Sequence, residues 1–472
     1  LLGAALLLMP CCLMAVWEEP LAAPAAAVED ARNAEFEGRW RDALAAWEAL
    51  ARDEAAPDAV THMEGFLRCL AATAQFNRLE TETDRALARW PGWDTAVILK
   101  ARSLEARGEP AKGAETLEAV APRSLPAAME RARLLEVIGR REEAGRIASA
   151  IVKGYEASRA ISPRDKVAAG DAAAARGDFQ GAARMYELAY TDSAGHVDAR
   201  IRLMHLFREK SQSELASGEL QALGRLAPHH PDVLLAAARL ASMGTDLARA
   251  ERAARGVLEI RPADPGATVV LARVAMMSER PEDALALLRP VLERNPADRE
   301  ARAAAAAACY LAADSSGYHR EVDRLLQQDP EYLEVHLDLA HLLELSRRND
   351  EAVALYRRVL AKDPEHGGAL TGLGLLAMRE GREEEARDYL ERGFEGDAYN
   401  IRAFNQLELL DKMDGFATFP GERFVLRMEA GEDTLLVPLL TERLNRIHEE
   451  LVALHGWSPP RPTVVEVFPD HE

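Results

Sequence analysis

The chain has 472 residues, of which 48% are hydrophobic and only 6% aromatic, and its formal net charge is −20. This apolar content suffices for a large core, and a composition rich in alanine and poor in aromatic side chains favours closely packed helices over sheets. The 58 basic residues are outnumbered by 78 acidic ones and form no basic stripe, which argues against nucleic acid as a partner.

The first 27 residues predict an export signal or a membrane anchor. The sequence does not start with methionine, so we expect that a few residues are missing from its beginning. Leu1–Trp17 is an uncharged apolar run that two glutamates follow, and Ala25–Ala27 offers a small-residue cleavage site. Such a run is short for a membrane span but suits the core of a signal peptide. We therefore expect export to the periplasm or cell envelope, with a retained anchor or a lipidated Cys11 or Cys12 as the alternatives.

Residues 28–160 contain three segments that look like the second halves of helix pairs. These segments are Gly38–Leu50, Gly108–Val120 and Gly139–Val152. Their spacing is irregular, so we expect about four degenerate helical repeats in this range.

From residue 161 onward the sequence has a period of 34 residues. Five prolines mark it: Pro228, Pro262, Pro296, Pro330 and Pro364. If each proline is position 32 of its unit, positions 8 and 20 hold small residues in most units, which lets two helices approach closely where they cross. Position 20 holds Ala182, Ala216, Ala250, Ala284, Ala352 and Ala386, with Tyr318 as the exception. The period predicts stacked helix–turn–helix units, each ended by its proline.

This pattern resembles the tetratricopeptide repeat, a helix–turn–helix unit of 34 residues. The resemblance covers Pro163–Ala398, seven units, and Asn400–Met413 looks like a helix that closes the stack. It implies an all-α superhelical solenoid, with degenerate repeats in 28–160, regular repeats in 161–398 and a capping helix in 399–414. Because one unit cannot bury its own apolar face, the units must stack. In this family the concave surface usually holds a peptide or a partner domain.

The concave surface should be lined by the first helix of each unit, at about positions 2, 5, 9 and 12. Position 5 supplies the aliphatic residues Ile201, Leu235 and Val269, and position 9 supplies His205, Arg239 and Arg273. The clustered Lys, Asn and Arg with which chaperone-type repeats grip a C-terminal carboxylate are missing. Arg239 and Arg273 stand one repeat apart and could share one carboxylate of a partner; alternatively, both are solvated. We predict partner binding at these six residues.

Residues 415–472 predict the start of a small α+β domain. The stretch GERFVLRMEAG has the alternating faces of a strand, leucines at helical spacing follow from Leu436 to Leu454, and TVVEVF has the pattern of a second strand. A strand–helix–strand unit of this size is small for an independent domain, so we expect it to continue beyond Glu472. The segment looks like the opening of a peptidase-MA-like (gluzincin) metallohydrolase domain, whose zinc-binding H-E-x-x-H would come later. Such domains are sometimes joined to tetratricopeptide arrays in exported bacterial proteins.

The sequence predicts no metal or catalytic site within the 472 residues. The helix His448–Val452 begins like a zinc motif, but valine stands where the second histidine is needed. His336 and His341 are five residues apart and do not share a helix face. The terminal pair of His471 and Glu472 follows a proline, so it does not lie inside the helix that the motif needs. We expect no cofactor in this chain, with zinc confined to a domain beyond it.

Three functions remain open on the sequence alone. The leading one is an exported, non-enzymatic scaffold of the cell envelope that binds protein in its concave groove. In the second, the chain is the non-catalytic N-terminal part of an exported zinc metallopeptidase whose array recruits substrate. In the third, it is a structural assembly factor of the envelope. In each, the chain contacts a membrane only through an uncleaved leader.

Overall fold

A computed structural model describes residues 23–156, 162–193, 196–244 and 246–468. Within these ranges the chain forms 24 α-helices and one three-stranded sheet. The predicted leader and the terminal pair His471 and Glu472 lie outside the described residues. No helix in the described ranges is long and apolar enough to cross a bilayer.

The helices follow one another as stacked pairs. The first four pairs are α1 (Ala23–Phe36) with α2 (Trp40–Ala51), α3 (Ala59–Ala72) with α4 (Phe76–Arg89), α5 (Asp94–Ala106) with the short α6 (Pro110–Thr116), and α7 (Leu125–Val137) with α8 (Arg141–Glu156). A single 3₁₀ turn at Ala121–Arg123 precedes α7.

Seven further pairs follow at the 34-residue period. They are α9 (Pro163–Ala175) with α10 (Phe179–Asp192), α11 (Val197–Glu209) with α12 (Ser213–Leu226), α13 (Pro231–Met243) with α14 (Leu247–Ile260), and α15 (Pro265–Met277) with α16 (Pro281–Arg294). Then come α17 (Arg299–Leu311) with α18 (Ser315–Gln328), α19 (Glu334–Leu345) with α20 (Asn349–Leu360), and α21 (Gly367–Arg379) with α22 (Glu383–Gly396). Helix α23 (Ile401–Met413) stacks on the last pair.

The helix boundaries follow a repeated turn chemistry. All five prolines of the period lie in the turns between pairs, because proline lacks the N–H that a continuing helix would need. Two residues after a proline, the side chain of His230, Asp264, Asp298 or His366 accepts a hydrogen bond from a backbone N–H in the first turn of the next helix. Each of these caps satisfies a donor that would otherwise have no partner.

The small residues of the period lie where the two helices of a pair cross. The alanines at position 20 from Ala182 to Ala386 are all 0% exposed, which confirms the predicted close approach. Tyr318 takes the same position and is also buried, with its hydroxyl 3.3 Å from Nδ1 of His336. The facing helix α17 is rich in small side chains, with six consecutive alanines at residues 303–308, which leaves more room for this ring.

After the array, the chain forms a small sheet with one helix. Strand β1 (Phe416–Pro420) pairs antiparallel with β2 (Phe424–Glu429), and β2 pairs parallel with β3 (Thr463–Val467). A 3₁₀ turn at Glu432–Leu436 and helix α24 (Val437–His455) connect β2 to β3. The sequence pattern predicts β2, α24 and β3 but not β1, whose five residues FATFP lack a clear polar–apolar alternation and end on proline.

Helix pairs that are far apart in the sequence also touch one another. The indole N–H of Trp40 donates to the carbonyl of His229, and Nε of Arg261 donates to the carbonyl of Ala72. Each contact spans 189 residues, about five and a half 34-residue units. Because neighbouring pairs also stack, the array must coil so tightly that its successive superhelical turns meet.

These contacts recur from one helix pair to the next, except at the α9–α10 turn, and together form a line that we call the seam. At each of its five joints, the turn inside one helix pair meets a turn between two later pairs. The turns inside α1–α2, α3–α4, α5–α6, α7–α8 and α11–α12 meet, in that order, the turns that precede α13, α15, α17, α19 and α23. Near its middle, the Gln328 amide donates to the carbonyl of Val137 and Arg141 pairs with Asp329 at 2.7 Å. Near its end, Nζ of Lys210 lies 2.9 Å from a carboxylate oxygen of Asp397. The partners are 187 to 191 residues apart.

Candidate functional site on the inner surface of the array

The six residues predicted to bind a partner lie on three consecutive first helices. Helix α11 carries Ile201 and His205, α13 carries Leu235 and Arg239, and α15 carries Val269 and Arg273. All six are half-buried. Leu235 and Arg239 line a cavity of about 1340 Å³ that lies beneath the seam, whereas the other four residues do not line it.

This cavity lies between two superhelical turns, and seam residues are among those that line it. One wall comes from α3 to α7 and the opposite wall from α11, α13 and the segment α14–α17. Ten arginines and six carboxylates line it, a local excess of positive charge within a chain whose formal net charge is −20. The cavity therefore presents an electrostatic environment opposite to that of the chain as a whole.

Arg239 already holds a carboxylate of the chain itself. Its Nη2 lies 2.6 Å from Oε2 of Glu300, which is two repeats further along. The guanidinium reaches Glu300 by passing over Gly266, where a side-chain Cβ would lie 3.1 Å from Nη2. Burial raises the pKa of Glu300, although the charge of Arg239 opposes this shift. A partner's carboxylate at Arg239 would have to compete with Glu300.

Arg273 is in a different position from Arg239. Its Nε donates to the carbonyl of Ser242 at 3.0 Å, while its buried Nη2 has no hydrogen-bond partner among the described residues. Burial lowers the pKa of Arg273, and the nearby charge of Asp338 offsets this only in part. The guanidinium thus has unused donor capacity, so the structure brings the two predicted arginines to one surface but not onto one shared acceptor.

The histidine of the predicted site does not contribute charge. Burial, followed by the charges of Arg208 and Arg239, lowers the pKa of His205 to about 3, so its ring is neutral near pH 7. Its Nδ1 is buried and has no hydrogen-bond partner in the described part of the chain, and the same holds for Nε2 of His341 on α19. The inner surface therefore combines aliphatic side chains with several buried polar atoms whose hydrogen-bonding capacity is unmet.

Four charged residues of the large cavity, Arg102, Glu130, Arg133 and Arg202, also line a neighbouring cavity of about 350 Å³ between α5, α7, α9 and α11. Glu130 pairs with Arg102 at 2.9 Å and with Arg133 at 2.8 Å. Burial alone would raise the pKa of Glu130, but these two arginines hold it well below its usual range. In the same cavity Arg202 pairs with Asp171 at 3.2 Å. Glu130 is therefore satisfied by two arginines, whereas the buried Nε of Arg202 has no hydrogen-bond partner among the described residues.

The carboxylates of the inner surface were not predicted from the sequence. Asp198, Asp232, Glu300 and Glu334 all occupy position 2 of their 34-residue units. Position 2 is among those expected on the concave surface, so the recurrence of acidic residues there was a usable signal. It would have indicated that Arg239 faces an acidic residue of the chain.

The described residues hold no group of three or more His, Cys, Asp or Glu side chains that could bind a metal ion. His448 on α24 instead lies 3.3 Å from the hydroxyl of Ser458 and packs edge-on against Phe424. His336 is buried in the core of the array beside Tyr318. None of these histidines shares a site with a second one.

Comparison with known proteins identifies the repeats. Residues 244–308 and 337–400 each match a family model described as tetratricopeptide repeat. No curated protein sequence matches the chain.

Solved structures show only distant likeness. A crystal structure of yeast Tom70 has 12% identity, covers 82% of this chain and 95% of its own, and has a TM-score of 0.31. A monomeric mutant of IFIT1 with Gppp-AAAA has 13% identity, covers 67% and 81%, and has a TM-score of 0.38. TM-scores this low do not support any conclusion about this chain from either structure. The two matches assign tetratricopeptide repeats to residues 244–308 and 337–400, and the 34-residue period and the stacked helix pairs show a solenoid of the same architecture around them, a fold that is typically non-catalytic and binds other proteins.

Proposed function

We propose that the chain is an exported interaction scaffold that holds a polypeptide segment of a partner against the inner surface of its array. The observation that carries this proposal is the large cavity beneath the seam, with its excess of arginines and the half-buried Leu235. Apolar anchors would supply affinity, and guanidinium groups would orient the segment by pairing with its carboxylates. The adjacent aliphatic residues Ile201 and Val269 extend the apolar surface along α11 and α15.

The unmet hydrogen-bonding capacity of Arg273 supports the same proposal. A buried donor without a partner is costly in free energy, and a carboxylate or carbonyl of a bound segment would relieve that cost. Arg239 would contribute by exchanging Glu300 for an acceptor of the partner. His205 would act as a neutral hydrogen-bonding group, because its pKa is lowered to about 3.

The test places a photo-activatable cross-linking residue at position 235 and, as a matched control, at position 255 on the second helix α14. We expect a defined partner to cross-link at position 235 only. The double variant Arg239→Glu with Arg273→Glu should lose this product. The control pair Arg255→Glu with Arg289→Glu, at exposed positions of α14 and α16, should keep it.

Circular dichroism of both double variants must show unchanged helix content for the comparison to count. Cross-linking that is equal at positions 235 and 255, or unaffected by the inner double variant, would place the partner elsewhere. The export part of the proposal is tested separately, by the N-terminal sequence of the protein recovered from the periplasmic fraction. Cleavage near Ala27 is expected.

A second candidate concerns the α+β unit, which we propose is the beginning of a larger, peptidase-like domain. Helix α24 has no buried residue. Nine of the seventeen large apolar side chains that are exposed in the described chain fall between residues 435 and 468: Leu435, Leu436, Leu439, Ile447, Leu451, Leu454, Trp457, Val464 and Phe468. So dense an apolar surface favours further structure packed on α24 and β3.

The coding sequence downstream of residue 472 tests this second candidate. An H-E-x-x-H on a predicted helix, followed by a further glutamate on another helix, would support a zinc peptidase. Zinc would then be measurable by metal analysis of the longer protein. An early stop codon would leave the scaffold as the better account and would require another explanation for the exposed face of α24.

A further inference from the structure

We propose that the seam is a reversible closure of the inner cavity, which opens when two superhelical turns separate and so admits a partner's segment from the side. This inference rests on the proposed function, since it assigns the route by which that same cavity is filled. It follows from a contrast between two kinds of contact in the array: those between neighbouring helix pairs and those across the seam.

Neighbouring pairs are joined by apolar cores. One continuous cluster of buried side chains runs from Ala272 on α15 to Leu376 on α21, and another connects α9 to α13. Separating such neighbours would expose large areas of apolar surface to water, which is strongly unfavourable. The stack of pairs is therefore the permanent part of the structure.

Most contacts across the seam are hydrogen bonds and ion pairs, and Ile260 adds one apolar contact, to the cluster of buried side chains in α1–α5. Arg261 donates to the carbonyl of Ala72, Gln328 donates to the carbonyl of Val137, and the backbone N–H of Ile401 donates to the carbonyl of Lys210 at 3.2 Å. Water can replace each of these bonds when the turns separate, so the net stabilisation per bond is small. The seam is hence the weakest connection in the coil.

Aromatic contacts occur at the two ends of the seam. The ring of Trp40 packs edge-on against His230, with ring centroids 5.8 Å apart. At the other end, Phe179 stacks on Tyr399 with centroids 4.6 Å apart. Opening the polar middle would leave both ends in place, so the turns could part locally without uncoiling the whole array.

The seam residues also bound the cavity. Ala72, Arg261 and Asn295 belong to the seam and line the cavity at the same time. Separating the turns at these residues would therefore open the cavity directly to solvent.

The turns fit closely across the seam at three glycines of the intra-pair turns, and a Cβ added to one of them, Gly139, would lie 2.9 Å from the carbonyl oxygen of Gln328. Gly38 and Gly108 have φ angles of +77° and +83°, and a Cβ added to either would lie within 3.0 Å of the partner turn, at His229 and Asn295 respectively. At Gly108 the added Cβ would be 3.7 Å from Cα and 3.6 Å from Cγ of Asn295. This geometry suits a disulfide, in which the two Cβ atoms lie about 3.8 Å apart.

The test locks the seam with the double variant Gly108→Cys and Asn295→Cys. A reporter thiol is added to the cavity by Leu235→Cys, and its modification by a bulky polymer-linked maleimide and by small N-ethylmaleimide is followed by peptide mass spectrometry. With the disulfide formed, the bulky reagent should react roughly tenfold more slowly at position 235, while the small reagent reacts at the same rate. Reducing the disulfide should restore the bulky reaction.

The control is the single variant Gly108→Cys with the same reporter, which carries the same backbone strain but cannot be locked. Raising the ionic strength should speed the bulky reaction in this control and not in the locked protein. If locking leaves the bulky reaction unchanged, the cavity is reached without opening the seam and the inference is wrong. This readout involves no partner, so failure of the cross-linking test above would overturn the proposed function without changing the labelling result.

Discussion

In every helix pair except α13–α14, one backbone position of the described chain adopts the left-handed conformation. In the regular repeats this position holds Gly177, Ser211, Glu279, Ala313, Arg347 and Gly381, all with φ between +59° and +77°. These residues are spaced by 34 or by 68 and lie in the turn between the two helices of a pair. A non-glycine residue is strained there, by about 1 kcal/mol or more.

This position yields a prediction with a matched control. Gly381→Ala should destabilise the array by about 1 kcal/mol, since an added Cβ meets no atom within 4 Å and only backbone strain is introduced. Gly218→Ala, inside α12 and equally free of contacts, should instead stabilise by about 0.5–1 kcal/mol. The midpoint of urea unfolding, followed by circular dichroism, measures both. If the urea midpoint shifted in the same direction in both variants, the left-handed backbone conformation assigned to Gly381 would be contradicted.

Asp171 provides a prediction about pH. Burial raises its pKa to about 6, although Arg202 and the hydroxyl of Tyr186, 2.7 Å away, favour the charged form. Asp198 and Glu130 add negative charge nearby and raise the pKa further. A carboxyl group whose pKa is higher in the folded state contributes stability that is complete below its unfolded pKa of about 3.9 and is lost as the pH rises through the folded value.

Asp171→Asn should therefore gain stability relative to the wild type as the pH rises from about 4 to about 7. The amide remains uncharged and still offers Tyr186 an acceptor, so the comparison isolates the ionisation. The measured quantity is the difference between the two unfolding midpoints at each pH. A difference that stays constant over this range would mean that Asp171 titrates normally.

At the scale of single elements, the sequence determined most of the array but not its longest contacts. The prolines and the alanines at position 20 predict the regular helix pairs, because turn chemistry and helix crossing are local properties. The pairing of Arg239 with Glu300 spans two repeats and depends on the gap left at Gly266, which no single unit reveals. The seam depends on the small rotation of each helix pair relative to the next, summed over more than five units. The sequence pattern of a single unit therefore does not predict it.

Helix α24 gives a prediction of its own. Leu451 and Leu454 are 49% and 75% exposed, so the double variant Leu451→Glu with Leu454→Glu should change the unfolding free energy of this chain by less than about 0.5 kcal/mol per site. It should also reduce binding of a hydrophobic dye. Leu426→Glu on β2, where the leucine is 2% exposed, should destabilise the sheet. If both variants changed the unfolding free energy by the same amount, α24 would have to be packed as tightly as β2.

At the scale of the whole molecule, Asp329 connects two superhelical turns. It is 1% exposed and lies 2.7 Å from Nη2 of Arg141 across the seam and 3.0 Å from Nη1 of Arg299. Burial would raise the pKa of Asp329, but its bonds to Arg141 outweigh this and hold the pKa below its usual range. Its contribution to stability is therefore present above about pH 3.9 and is lost as the pH falls through the lowered pKa.

Asp329→Asn should loosen the coil at neutral pH, because two arginines lose their shared anion. We expect a larger radius of gyration in small-angle X-ray scattering, with unchanged helix content. Asp323→Asn, at an exposed position of the same helix region, should leave the radius unchanged. An unaltered radius in the Asp329 variant would show that other seam contacts suffice to hold the turns together.

The offset of the seam also limits how the array can change in length during evolution. In an open solenoid each unit contacts only its neighbours, so units can be duplicated or lost with little effect elsewhere. Here, loss of one unit between α2 and α13 would bring Trp40 opposite the turn that carries Arg261 in place of His229 and His230. Every other seam contact whose two partners flank the lost unit would be mismatched in the same way, so whole units should be duplicated or deleted less readily here than in an open solenoid.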